Sequence, residues 1–138
     1  MSERSDVDAV LDAFHAAAAD ADEQRYLATL AEDMVFLGTA PGERWEADAW
    51  REFVRRYFSQ GKGWAYVPSG RSVVVAADGE TAWFDETVDN DHFGTCRGSG
   101  VLRRENDRWR IAQYNLTIPV PDELVPELVS QIREVRPA

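Results

Sequence analysis

Asp85 is the residue of this chain that type and setting best equip for chemistry. It lies in Ala82-Trp83-Phe84-Asp85-Glu86. A carboxylate among aromatic rings takes on the raised pKa that a general acid or base requires. The plainer reading is a buried acid paired with Gln113, Asn115 or an arginine, because structural networks perturb acids as well. His15, beside Phe14 on an amphipathic segment, is the second candidate, since histidine is the usual proton shuttle. A lone histidine there is more often hydrogen-bonded packing. Glu86 is expected to point to the opposite face and pair with Arg97. His92 and Cys96 flank a loop, but two ligands do not make a zinc site. Asp89-Asn90-Asp91 lacks the remaining positions of a calcium loop. Neither a metal nor a cofactor is expected. No Ser-His-Asp set, P-loop or dinucleotide glycine motif is present.

These side chains need elements to hold them. Ser5 with Asp8 resembles a capping box, and Val7, Val10, Leu11, Phe14, Ala17, Ala18 and Ala21 then keep helical spacing. Asp22 can cap a short helix with Tyr26, Leu27 and Leu30. Met34–Leu37 reads as a short strand and 38–42 as a loop. Asp48 is expected to cap a third helix carrying Trp50, Phe53, Val54, Tyr57 and Phe58. The chain then turns to strands: Trp64–Pro68, Arg71–Ala77, Glu80–Val88, Thr95–Arg104 and Trp109–Ile118. Asp78-Gly79 is a strong hairpin turn, 89–94 reads as a polar loop, and a second hairpin turns at 105–108. A last amphipathic helix follows Pro121. The order ααβαββββ plus a C-terminal helix is that of an α+β fold, in a single domain over residues 1–138.

The last three strands carry apolar residues on both faces, so both faces must be covered. Opposed residues of a hairpin share a face. That rule groups Asp85, Gln113, Asn115 and Thr117 with Trp83 and Trp109, beside the small Gly98 and Gly100. This face suits a pocket, to which Phe14, Tyr26, Trp45, Trp50, Phe53 and Trp64 are expected to add lining. The opposite set, Val73, Val75, Phe84, Val101, Ala112, Tyr114 and Leu116, suits a subunit contact. A one-residue bulge would exchange the two sets on a strand.

Composition narrows the function classes. A net charge of −10 argues against nucleic acid and anionic membranes, whose phosphates need clustered Lys and Arg. The single cysteine excludes an intrachain disulfide. The first fifteen residues lack the apolar core of a secretion signal, and no apolar run nears the roughly 20 residues of a membrane span. A cytoplasmic protein is expected.

Three stretches carry a resemblance to the nuclear transport factor 2-like (NTF2-like) superfamily, in particular its SnoaL-like branch. They are Gly38-Thr39-Ala40-Pro41-Gly42-Glu43-Arg44-Trp45, Arg97-Gly98-Ser99-Gly100-Val101-Leu102 and Trp109 to Thr117, together with Ala82–Glu86 and the order of elements. The resemblance implies a cone in which a curved antiparallel sheet wraps around N-terminal helices. It also implies a pocket between them and a homodimer through the convex sheet face. The superfamily includes isomerases, dehydratases, cyclases, epoxide hydrolases, a kinase association domain and non-catalytic binders, so fold alone assigns no activity. Its steroid-type isomerases use a tyrosine on the first helix and an aspartate after the first strand; those positions fall on Phe14 and Gly38 here. The dehydratase histidine pair has no clear counterpart in His15 and His92. Where the kinase association domain has histidines on its final strand and an arginine on an earlier one, this chain has Gln113, Asn115 and Asp85. Three functions stay open: a binder of a small organic molecule in a mainly apolar pocket, an acid/base enzyme using Asp85, and an assembly module.

Overall fold

Ser2 caps the first helix, α1 (Glu3–Ala19), by accepting the Ser5 amide, three residues earlier than the Ser5–Asp8 pattern suggests. The structure, a computed structural model, describes residues 2–136. The single-domain expectation for 1–138 also covers Met1, Pro137 and Ala138, which lie outside the described residues. Val7, Leu11, Phe14, His15, Ala17 and Ala18 are the buried stripe of α1, the face its helical spacing selects. Asp22 caps the six-residue α2 (Glu23–Ala28) through the Arg25 amide, as its position suggests. The third helix, α3 (Ala47–Phe58), starts from Glu46 rather than Asp48, with no side-chain cap. It buries Ala47, Trp50, Val54 and Phe58.

One six-stranded sheet takes up the rest of the domain. Its strands are β1 (Leu30–Leu37), β2 (Arg44–Glu46), β3 (Val67–Val75), β4 (Thr81–Asn90), β5 (Gly94–Glu105) and β6 (Arg108–Thr117), in the spatial order β2-β1-β6-β5-β4-β3. The pairing is antiparallel except between β1 and β6. Three-residue β2 has too little pattern to read from sequence. The two strands expected over 64–77 are one, β3, with a bulge at Gly70, whose φ is +65°.

Strand phase decides which side chains enter the interior. The turn at Asp78-Gly79 gives the expected pairs Val74–Trp83 and Ser72–Asp85. Residues 91–93 form a tight turn closed by Gly94 at φ +73°, so Asn90 opposes Gly94, Glu86 opposes Gly98 and Phe84 opposes Gly100. Ala82, Phe84, Glu86 and Val88 therefore share the buried face with Cys96, Gly98 and Leu102. Leu102 opposes Ile111 as expected, but the register then slips at Ala112, pairing Val101 with Gln113 and Gly100 with Tyr114. Beyond this bulge Tyr114 and Leu116 turn inward while Gln113 is exposed. Glycine is required at position 100, where a Cβ would lie 1.8 Å from the Gln113 carbonyl oxygen.

This phase corrects the expected faces. Asp85 and Trp83 are exposed on the outer face with Gln113 and the half-buried Asn115. Val73, Phe84, Tyr114 and Leu116, expected at a subunit contact, belong to the core.

After β6, residues 118–121 lead through a 3-10 turn, Asp122–Leu124, into α4 (Val125–Val135), none of whose residues is buried.

Candidate functional site

Aromatic residues from five separate segments meet at one end of the domain. Trp50 and Phe53 come from α3, Trp45 from β2, Phe36 from β1, Trp64 and Tyr66 from the run into β3, and Phe93 from the β4–β5 turn. With Gly38, Thr39, Glu43 and Leu116 they enclose a recess of about 190 Å³. Trp50 is its centre. Phe36 stacks on it at 4.0 Å and 5°, and Trp45, Phe53 and Trp64 lie 5.4–5.7 Å away. Rings at these distances add cohesion beyond their buried area.

The rim carries the polar groups. The Glu43 carboxylate folds back over Gly38 and accepts the Ala40 amide at 3.0 Å. A Cβ on Gly38 would meet that carboxylate at 2.8 Å, so a side chain there would displace it. Burial, then the Cys96 thiol and the Glu43 charge, push the Tyr66 hydroxyl up to about 12, so it is a neutral donor at physiological pH. In the wall, the Trp45 indole nitrogen is buried without a hydrogen-bond partner.

Behind the recess the interior is filled. Trp50 donates to the Tyr26 hydroxyl at 3.2 Å. Phe14 stacks on Tyr26 at 4.9 Å and meets Tyr114 at 5.0 Å. Burial pushes the Tyr26 hydroxyl far above its ordinary value, against the Trp50 hydrogen bond. Of the expected lining, Trp45, Trp50, Phe53 and Trp64 come together, and Phe14 and Tyr26 form the packed layer beneath. Trp109 is elsewhere, bordering a separate hollow with Val10 and Ala13 of α1. Asp85, Trp83, Gln113 and Asn115 take no part, because their strand phase turns them outward.

The interior acid is Glu86. It is 1 % exposed and bonded to three side chains. His15 Nε2 lies 2.6 Å from Oε2, the Tyr114 hydroxyl 2.7 Å from the same oxygen, and Arg71 Nε 2.7 Å from Oε1. Burial alone would raise this carboxyl; hydrogen bonds from His15, Tyr114 and Arg71, with the His15 charge, outweigh it and hold it below the ordinary range. An ionised carboxylate only accepts, so His15 donates from Nε2. Burial and the adjacent carboxylate push the Tyr114 hydroxyl far upward. Arg71 also reaches Asp8 and Asp12 on α1. Gly98 leaves the room this cluster needs, since a Cβ there would sit 2.0 Å from the Tyr114 oxygen. The expected Glu86–Arg97 pair does not form: Arg97 is exposed on the outer face.

His15 borders a groove of about 340 Å³ between α1 and the start of β3, lined with Asp12, Ala16, Ala19, Ala65, Tyr66, Val67 and Pro68. Tyr66 borders both the groove and the recess. Cys96 faces the core and His92 is exposed in the turn, so they do not converge. Glu43, Tyr66, Glu86 and Arg71 escaped sequence reasoning. The signal for Glu86 was Gly94: a glycine closing a three-residue turn fixes the β4–β5 register, and with it the inward residue of β4.

Among the described residues no helix is long and apolar enough to cross a membrane. The sequence profile of the SnoaL-like domain matches residues 7–121. An NTF2-like protein of unknown function from Pseudomonas putida superposes with a TM-score of 0.71 at 16 % identity, over 89 % of this chain and 92 % of its own. An NTF2-like protein from Cytophaga hutchinsonii gives 0.71 at 18 % identity, over 86 % and 100 %. A protein of unknown function with a cystatin-like fold from Nostoc punctiforme gives 0.65 at 15 %, over 84 % and 90 %. At these identities the likeness establishes the fold. No curated protein matches the chain.

Proposed function

From the premise that this chain belongs to the SnoaL-like domain family, we propose that it binds a small planar aromatic molecule in the recess around Trp50. The observation that carries this reading is the ring-lined recess itself, in which nearly all polarity is confined to the rim. Its volume of about 190 Å³ is below the roughly 300–1,000 Å³ of drug-sized sites, which favours one or two fused rings. The polar rim favours a hydroxyl on the ligand. Glu43 accepts its proton in a hydrogen bond and Tyr66 donates to its oxygen, whereas the Glu43 charge repels a carboxylate. The test is a titration with 2-naphthol, read by calorimetry. Saturable binding is expected, weakened tenfold or more in Trp45→Ala, with 2-naphthoate bound more weakly than 2-naphthol. Absence of saturable binding, or equal affinity of the two proteins, would overturn the reading.

The His15–Glu86 pair favours a second reading, acid/base catalysis in the groove between α1 and β3. With Nε2–H held by ionised Glu86, Nδ1 is left as the base. It would take a proton from a substrate carbon, and Glu86 would stabilise the resulting imidazolium. The carboxylate in this role is Glu86, in place of the exposed Asp85. A suitable probe is 5-nitrobenzisoxazole, whose ring-carbon proton passes to the base as its N–O bond breaks to a coloured cyanophenolate. Turnover at least tenfold above His15→Gln supports this reading; equal rates remove it.

A further inference from the structure

The hollow beside Trp109 lies at the end of the domain away from the recess. Trp109 and the recess residue Leu116 stand near opposite ends of β6, roughly 20 Å apart at about 3.3 Å per residue. Asp6, Ala9, Val10 and Ala13 line the hollow from α1, one face at helical spacing. Because two of these are alanines, the helix leaves room beneath the β5–β6 hairpin. The space is about 440 Å³, inside the roughly 300–1,000 Å³ of small-molecule sites. Trp109, 5 % exposed, and the half-buried Val10 and Ala13 give it an apolar floor.

The rim is charged. Arg25 comes from α2, and Arg104, Asp107 and Arg108 come from the hairpin. The two-residue turn at Asn106 and Asp107, both at positive φ, sets Arg104 opposite Trp109 and Arg108 opposite Glu105. Arg104 is taken up by Glu3 at 3.2 Å and Asp107 at 3.6 Å. Arg25 has only a loose contact with Asp20, at 3.9 Å. Among the described residues Arg108 has no acidic partner within 4.0 Å. Arg25 and Arg108 thus outnumber Asp6, the remaining acid of the lining, by one charge. A Debye length of about 8 Å at physiological salt screens the more distant acids of this chain.

We propose that this hollow binds an organic monocarboxylate with an aliphatic body. Arg108 and Arg25 hold the head, because a guanidinium presents paired N–H donors that match the two oxygens of a carboxylate. One negative charge equals the single positive excess of the rim. The body lies on Trp109, Val10 and Ala13, where it leaves water. Trp109 is the one ring of this lining, with no second ring to sandwich a planar ligand, which favours an aliphatic chain. The recess around Trp50 is the opposite case, ringed by aromatic side chains with Glu43 on its rim. The two sites therefore sort ligands by both shape and charge.

Calorimetric titration of the full chain with decanoate tests this. Saturable binding is expected. Arg108→Glu, at an exposed position, should weaken it tenfold or more with unchanged circular dichroism. Ala9→Trp, also at an exposed position, should do the same by filling the hollow while keeping both arginines. Decyltrimethylammonium, with the same chain and the opposite charge, should bind at least tenfold more weakly than decanoate. Absence of saturable decanoate binding overturns the proposal. So does an affinity that either variant leaves intact, which would place decanoate elsewhere on the protein. Equal affinity for the cation also overturns it, since apolar contact alone would then hold the chain.

Discussion

Glu86→Ala is expected to lower stability by about 3–5 kcal/mol, because removing one member of a buried, hydrogen-bonded charge cluster strands the others. Here it would leave Arg71 Nε, His15 Nε2 and the Tyr114 hydroxyl without their acceptor, beside Arg71 Nη2, which is already buried without a partner; Asp8 and Asp12 would still pair with Arg71 Nη1. Asp85→Asn, one residue earlier on the exposed face, should change stability by less than about 0.5 kcal/mol. Urea denaturation of both variants measures the contrast, and equal losses would contradict the phase of β4. The same carboxylate sets a pH dependence. Its folded pKa is depressed below the ordinary 4.5, so the unfolded chain takes up a proton more readily than the native one. The stabilisation is complete above pH 4.5 and is lost as pH falls through the folded value. The groups facing it are His15 from α1, Arg71 from β3 and Tyr114 from β6, with Asp8 and Asp12 behind Arg71. The melting temperature of the wild type should therefore fall more steeply than that of Glu86→Gln as pH drops below 4.5. Parallel curves would mean that Glu86 titrates alike in both states.

Trp50→Ala is expected to cost about 3–5 kcal/mol, the usual range for deleting a large buried aromatic side chain. Trp50 is 4 % exposed and is held on one side by the Phe36 stack and on the other by Trp45, Phe53 and Trp64. Its removal also leaves the buried Tyr26 hydroxyl without its hydrogen-bond donor. The recess would lose its central wall, so 2-naphthol affinity should fall along with the melting temperature. Trp45→Ala separates the two effects: Trp45 is only half-buried, and its loss should reduce affinity with a stability cost about half as large or less. A Trp50→Ala protein of wild-type melting temperature would mean that these rings do not form a packed wall.

Helix positions could be read from sequence because the information is local. The stripe Val7–Leu11–Phe14–Ala18 of α1 and the Asp22 cap of α2 depend on residues within a turn or two of one another. The same holds for the Asp78-Gly79 hairpin, where the turn itself sets Val74 against Trp83. The α+β class and the C-terminal helix followed from the order of such elements. Residue types and local spacing thus determined most of the elements, while of the tryptophans expected to line one pocket Trp45, Trp50 and Trp64 meet and Trp83 and Trp109 do not. The tertiary structure alone decided which carboxylate enters the interior. Asp85 and Glu86 are adjacent on β4, and side chains of a strand alternate, so a single step of phase exchanges them. The phase of β4 against β5 is set by the tight turn at Gly94, and the bulge at Ala112 moves the β5–β6 pairing beyond it by one residue, which turns Tyr114 inward. The choice is enforced over long separations in the chain, by His15 reaching Glu86 across 71 positions and by Tyr114 and Arg71 closing on the same carboxylate. A charge can be buried only where all its partners arrive together.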